Sequence, residues 1–188
     1  MNQAGLLRYL VETLEELGID YMISGSQASV YYGEPRFTQD IDVVVDLTPH
    51  HLSALVERFP APEFYLSEEA AHDAIRTRGQ FNIIHPASGM KIDVVVKKDT
   101  AYDHAEFERR HRQPILPGKD AYFARPEDVM LYKMLYFRDG GSERHLRDIA
   151  GMLRISGHEI DTEYVSEWAQ QLGLSDIWKA VLHQATDR

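Results

Sequence analysis

The sequence predicts an α+β fold, a small mixed sheet with helices followed by a C-terminal helical segment, and three observations predict it. Short β-branched runs fall in the first two thirds of the 188 residues, and helical spacing holds from Pro126 onward. The glycine pattern of a doubly wound sheet is missing: Ser24-Gly25-Ser26-Gln27-Ala28-Ser29 has neither the three spaced glycines of a dinucleotide site nor the Gly-Lys-Ser/Thr of a P-loop. The expected organisation is a core over residues 1–124 and a C-terminal helical segment over 125–188 that completes the site.

Leu6, Leu7, Leu10, Val11, Leu14 and Leu17 recur at helical spacing and stop at Gly18, so a first helix is expected over residues 3–17 with a left-handed cap. Tyr21-Met22-Ile23 reads as a short strand, and Gly25-Ser26 then opens a short helix, Gln27 to Tyr32, ending near Gly33. Residues 40–47 are dense in β-branched side chains and read as a strand; Thr48-Pro49 supplies an N-cap and a first-turn proline for a helix to Phe59. After a proline-rich turn at 60–62, Ser67-Glu68-Glu69-Ala70 begins another helix. Gln80 to His85 and Met90 to Lys97 form a hairpin around Pro86-Ala87-Ser88-Gly89. A charged helix is expected at 101–111, then a strand pair turning at Pro117-Gly118-Lys119 and ending near Ala124. Four helices follow, marked by Leu131 with Met134 and Leu135, by Leu146 with Ile149 and Leu153, by Trp168 with Leu172, and by Ile177 with Val181.

With 44% apolar residues the chain can bury a core of ordinary size, and its length leaves no room for a large second catalytic domain. A formal charge of −10 removes the long-range attraction that draws basic proteins to nucleic acid, so an RNA or DNA partner needs a local basic patch. Arg109-Arg110-His111-Arg112 is the strongest such run, and it equally suits the negative end of the preceding helix. Cysteine is absent, which excludes disulfides, zinc-thiolate sites and thiol nucleophiles. The nine histidines show no close zinc-ligand spacing. The first residues lack a cationic start with an apolar stretch, and no apolar run approaches the roughly 20 residues of a membrane helix. A soluble cytoplasmic protein without a membrane partner is expected.

Chemistry concentrates in Thr38-Gln39-Asp40-Ile41-Asp42-Val43-Val44-Val45. Side chains along a strand repeat every two residues, so Asp40 and Asp42 share a face, where they can share divalent cations. The pentapeptide Ile-Asp-Val-Val-Val occurs at 41–45 and again at 92–96, and pairing of the two strands would bring Asp93 to the other aspartates. Aspartates inside Val-rich strands are costly unless a cation compensates. With Gly25-Ser26 directly after an apolar strand, the pattern points to metal-assisted nucleotidyl transfer. Carboxylate oxygens favour Mg²⁺ or Mn²⁺, Gly25 lets backbone approach phosphate oxygens, and Ser26 with the amides of the following helix can bind them. Arg36 either clamps a triphosphate bidentately or holds the loop before Asp40 through Glu34 or a carbonyl.

Gly25-Ser26, thirteen intervening residues, Asp40-Ile41-Asp42-Val43 and the later Ile92-Asp93-Val94 together resemble the signature of the DNA polymerase β-like nucleotidyltransferase superfamily. Within it, Gly33-x-x-Arg36-x-Thr38-x-Asp40-Ile41-Asp42 is similar to minimal nucleotidyltransferases and to toxins of the AbiEii type. Pro126-Glu127-Asp128-Val129-Met130-Leu131-Tyr132-Lys133 looks like the toxin helix that supplies a nucleotide-binding lysine, and Arg144-His145-Leu146-Arg147-Asp148-Ile149 resembles the Arg-Asp motif after it. The resemblance implies a nucleotidyltransferase fold that moves an NMP from an NTP such as ATP to a hydroxyl. Asp40, Asp42 and Asp93 would be the catalytic metal ligands, and Gly25, Ser26, Arg36 and Lys133 the nucleotide contacts. Asp148 would stand near the acceptor or orient Lys133. Residue by residue, Lys133 has a second reading, its stem on apolar surface and its amine in water. The acceptor stays open among an RNA 3′ end such as that of tRNA, a protein, and a small molecule such as an aminoglycoside-like antibiotic. The alternative is a catalytically silent binding module or toxin–antitoxin component on the same fold.

Overall fold

The periodicities of the chain become helices and strands in the computed structural model, which describes residues 1–35, 38 and 40–186. The elements are α1 (Gln3–Glu16), β1 (Tyr21–Ile23), α2 (Gly25–Tyr32), β2 (Asp40–Val45), α3 (Pro49–Arg58), β3 (Tyr65–Leu66), α4 (Glu68–Thr77), β4 (Gln80–His85) and β5 (Met90–Val96). They continue with α5 (Ala101–Arg109), β6 (His111–Leu116), β7 (Lys119–Phe123), α6 (Pro126–Gly140), α7 (Glu143–Ser156), a short 3₁₀ turn (Gly157–Glu159), α8 (Thr162–Gln171) and α9 (Ser175–Thr186). The expected α+β class is therefore what the chain adopts. No helix is long and apolar enough to cross a membrane, among the described residues.

Local signals set many of these boundaries. Gly18, at φ 66°, closes α1, and the Ile19 amide returns to the Leu14 carbonyl at 2.9 Å. Pro49 starts α3, and the Ser67 side chain caps α4 by accepting from the Ala70 amide. One strand escapes the sequence pattern: β3 is two residues long and exists only through its pairing with β4, Tyr65 opposite Ile84 and Leu66 opposite Ile83.

The chain divides into two compact units, Met1–Ser24 with Thr38–Phe123, and the stretch opening at Gly25 with everything from Ala124 on. The first holds a seven-stranded mixed sheet in the order β3-β4-β5-β2-β1-β7-β6. Its centre is parallel, β2 beside β5, and parallel neighbours cannot be joined by a tight turn. Residues 46–89 supply the long crossover through α3, β3, α4 and β4. The core has Leu6, Leu10, Val11 and Leu14 of α1, Ile41, Val43 and Val45 of β2 and Ile92, Val94 and Val96 of β5 at 2% exposure or less.

The second unit is helical, with α6 at its centre against α2, α7 and α8. Because α6 is covered on several sides, it buries Glu127 and Asp128 along with Val129, Met130, Leu131 and Met134. Buried carboxylates need donors: the Asp161 amide donates to Glu127 at 3.0 Å, and the Tyr164 hydroxyl donates to Asp128 at 2.8 Å. The Tyr32 hydroxyl donates to the Ala124 carbonyl at 2.9 Å, and burial pushes its pKa up. Gly33 ends α2 where there is no room for a side chain; a Cβ would stand 2.9 Å from the Ser29 carbonyl and 3.1 Å from Met152 of α7.

Candidate functional site

In β2 the residues Ile41, Val43 and Val45 are buried and Asp40, Asp42 and Val44 alternate with them; in β5 Ile92, Val94 and Val96 are buried and Lys91, Asp93 and Val95 alternate. The two Ile-Asp-Val-Val-Val segments lie side by side in register, Ile41 opposite Ile92, Asp42 opposite Asp93, and Val43 opposite Val94. A slip of β2 by one residue would expose Ile41, Val43 and Val45 and drive Asp40 and Asp42 into the core, so this register is strongly specified. Neighbouring strands are about 4.8 Å apart, which places the Asp42 and Asp93 side chains on one face at that scale. Asp40 sits on the same face, opposite Lys91.

Lys91 was not among the residues singled out from the sequence. Its Nζ lies 2.9 Å from Asp93 Oδ2 and 3.9 Å from Asp40 Oδ1. Its ammonium pKa is raised, first by the hydrogen bond to Asp93 and then, against partial burial, by the fields of Asp93, Asp40 and Asp42. The signal was present, since Lys91 precedes Asp93 by two residues and period-two alternation puts both on one face. The structure thus brings the three aspartates to one face with a lysine among them. Among the described residues no three Asp, Glu, His or Cys side chains are gathered tightly enough to hold a metal ion as they stand. The donor set nonetheless fits Mg²⁺ or Mn²⁺: the oxygens are carboxylate, the face is half-exposed, and it already attracts a cation, the Lys91 ammonium. Asn82 of β4 is the register partner of Asp93 on its other side.

The last residue of the sheet unit before α2 is Ser24, whose amide donates to the Asp42 carbonyl at 3.0 Å. Gly25 follows at φ 54°, a left-handed conformation that favours glycine, and opens α2. The Ser29 hydroxyl donates back to the Gly25 carbonyl, and Gly25 and Ser26 themselves are half-buried at the start of the helix. Arg36 lies outside the described residues.

Lys133 of α6 does not place its amine in water. It is 4% exposed, and its Nζ donates to Asp148 Oδ2 of α7 at 2.7 Å. Side-chain exposures of 5% and 10% make this a buried ion pair. Of the two roles that the resemblance offered Asp148, orientation of Lys133 has the direct contact. A cleft of about 260 Å³ opens beside the pair, between the Ser29, Glu34 and Pro35 side and the α7 residues Arg144, Arg147, Asp148 and Gly151.

The basic run at 109–112 is bound up in its own surroundings. The Arg110 guanidinium lies 4.3 Å from the Phe107 ring centroid and donates to Asp20 at 2.9 Å, and Arg112 reaches to 3.7 Å from Glu15.

No family model matches the chain, and no curated protein does. Solved structures do. The chain is similar to ANT(2″)-Ia in complex with adenylyl-2″-tobramycin, at 13% identity over 96% of this chain and 98% of that one, with a TM-score of 0.59. An antigenic nucleotidyltransferase-like protein from Paracoccidioides brasiliensis matches at 20% identity over 94% and 92%, with a TM-score of 0.53. The lincomycin-bound lincosamide antibiotic adenylyltransferase LnuA matches at 14% identity over 79% and 95%, with a TM-score of 0.52. At these identities the likeness is one of fold, and the fold is that of the nucleotidyltransferases.

Proposed function

We propose that this chain, on its nucleotidyltransferase fold, moves a nucleoside monophosphate from an NTP to a hydroxyl acceptor. The observation that carries the reading is the in-register pairing of Asp42 with Asp93 across β2 and β5, with Asp40 on the same face. Asp40, Asp42 and Asp93 would hold Mg²⁺ or Mn²⁺, which when bound lowers the pKa of an acceptor hydroxyl and neutralises charge on the triphosphate. Gly25 admits phosphate oxygens close to backbone, and the Ser26 hydroxyl with the first amides of α2 donates to them. Lys133 adds a fixed positive charge whose direction Asp148 sets, and Arg36 is the further candidate for the triphosphate. ATP is the natural first NTP to test, since the antibiotic-modifying neighbours are named as adenylyltransferase or carry an adenylyl product.

Those neighbours bear tobramycin and lincomycin in their names, and a formal charge of −10 would attract a cationic small acceptor. An RNA 3′ end and a protein hydroxyl are the other acceptor classes. Incubation with each α-³²P-labelled NTP and Mg²⁺ in fractionated lysate, with Asp40→Asn alongside, tests the reaction and sorts the acceptors. Label in wild type alone supports transfer; no label in any fraction favours the silent module.

Nucleotide binding has its own readout. At 100 times its Kd, an NTP with Mg²⁺ stabilises the native state by about 2.7 kcal/mol, and at about 2–4 °C per kcal/mol for this chain length the melting temperature is expected to rise by about 5–10 °C. No shift with any NTP in Mg²⁺ or Mn²⁺ would count heavily against the enzyme.

The lysine among the carboxylates should oppose a divalent cation. Lys91→Met is expected to tighten Mn²⁺ binding by up to about fivefold, the scale of a half-exposed ion pair removed. Calorimetric titration without nucleotide measures it, and an unchanged or weaker affinity would show that the ammonium does not compete.

A further inference from the structure

We propose that the cleft on α7 is a phosphate-binding site in its own right, with Arg144 and Arg147 as its ligands. Four charged residues line it, and they are not equivalent. Asp148 receives the Lys133 ammonium at 2.7 Å, and Glu34 receives Arg154 at 2.7 Å, so each carboxylate in the wall is met by a cation. Arg144 and Arg147 are exposed and, among the described residues, make no ion pair or hydrogen bond. The cleft therefore presents two guanidinium groups whose charge is not spent on any other described residue. Three residues apart on one helix, they are side by side. Arg144 stands in the first turn of α7, where the helix dipole also favours an anion.

The class of ligand follows from the donors. A guanidinium offers a planar fork of N–H groups that matches two phosphate oxygens at once, and two such forks a helical turn apart can hold one phosphate group or two successive ones. Gly151, one turn further along the same wall, has no side chain to fill the space. The cleft's volume of about 260 Å³ is below the about 300–1,000 Å³ of pockets that enclose a whole drug-sized ligand. That suits a phosphate and its attached sugar entering from solvent. The phosphate could belong to the NTP or to the backbone of a polynucleotide acceptor, and the experiment separates these.

The full chain is titrated in EDTA by fluorescence anisotropy against two probes, mant-ATP and a fluorescein-labelled mixed-sequence single-stranded 12-mer RNA. R144Q/R147Q is compared with wild type and with R144K/R147K, and thermal melts confirm that each variant is folded. The expected result is a loss of about tenfold or more in affinity for at least one probe in the glutamine variant, with the lysine variant between it and wild type. A loss confined to mant-ATP assigns the site to the nucleotide's phosphates. A loss confined to the RNA, with a log–log salt slope shallower by about 1.4, assigns it to two phosphodiester contacts. Equal affinities of wild type and R144Q/R147Q, or no binding of either probe by wild type, would overturn the proposal. Without a divalent cation the assay makes no use of Asp40, Asp42 and Asp93 as metal ligands, so its failure and that of the transfer reaction are separate results.

Discussion

Asp42→Asn is expected to abolish nucleotidyl transfer while leaving the fold intact. The amide keeps the shape of the side chain and its place opposite Asp93, but it removes one of the negative charges with which β2 and β5 would hold a cation. Loss of a partner that merely orients a metal ligand typically costs 10–100-fold in metal affinity or activity, so loss of a ligand's own charge should exceed about 100-fold. Like charges directly opposite on paired strands disfavour pairing by less than about 1 kcal/mol. The metal-free melting temperature of the variant should therefore stay within about 4 °C of wild type, while its response to Mg²⁺ with NTP disappears. Transfer at the wild-type rate by purified Asp42→Asn would sink the assignment of the carboxylate face. A variant that melts far below wild type would instead show that the carboxylate supports the sheet.

The second large effect is one of stability. Lys133 and Asp148 are joined at 2.7 Å in a nearly dry environment, with side-chain exposures of 5% and 10%. Removing one member of a buried pair typically costs about 3–5 kcal/mol, because the other charge stays in a medium that solvates it poorly. Asp148→Ala is thus expected to lower the melting temperature by about 6–20 °C. Replacing both, Lys133→Met with Asp148→Leu, should recover much of that loss, since apolar pairs of similar volume often match buried ion pairs in stability. Nucleotide binding should not recover with it. Recovery of both stability and the NTP-dependent thermal shift would assign the pair to structure alone. Recovery of stability without the shift would support Lys133 as a phosphate contact and Asp148 as the residue that positions it.

Side-chain periodicity was enough to place the aspartates. Val-rich runs demand alternation between a buried and an open face, so Asp40, Asp42 and Asp93 had to fall on the open one once their strands formed. Helix ends were legible for the same local reason, as at Gly18, Thr48-Pro49 and Ser67, where caps and turns act within a few residues of their own position. Gly25 was legible too, since the turn between β1 and α2 asks for the φ of 54° that glycine adopts without strain.

What the tertiary structure decided depends on contacts between distant parts of the chain. The in-register parallel pairing of β2 with β5 spans about fifty residues and is settled by burying both apolar faces together, which a repeated pentapeptide suggests but does not dictate. The same pairing places Lys91 between Asp40 and Asp93, and pairing with β4 alone makes Tyr65–Leu66 a strand. Lys133 reads locally as an amphipathic lysine with its amine in water; packing of α6 against α7 covers that amine and supplies Asp148, fifteen residues away, as its partner. Sequence by itself determined which residues alternate, cap and turn, because those are interactions of near neighbours. Tertiary structure decided which charges meet, because that requires the entropy of long-range closure to be offset by burial of whole faces at once.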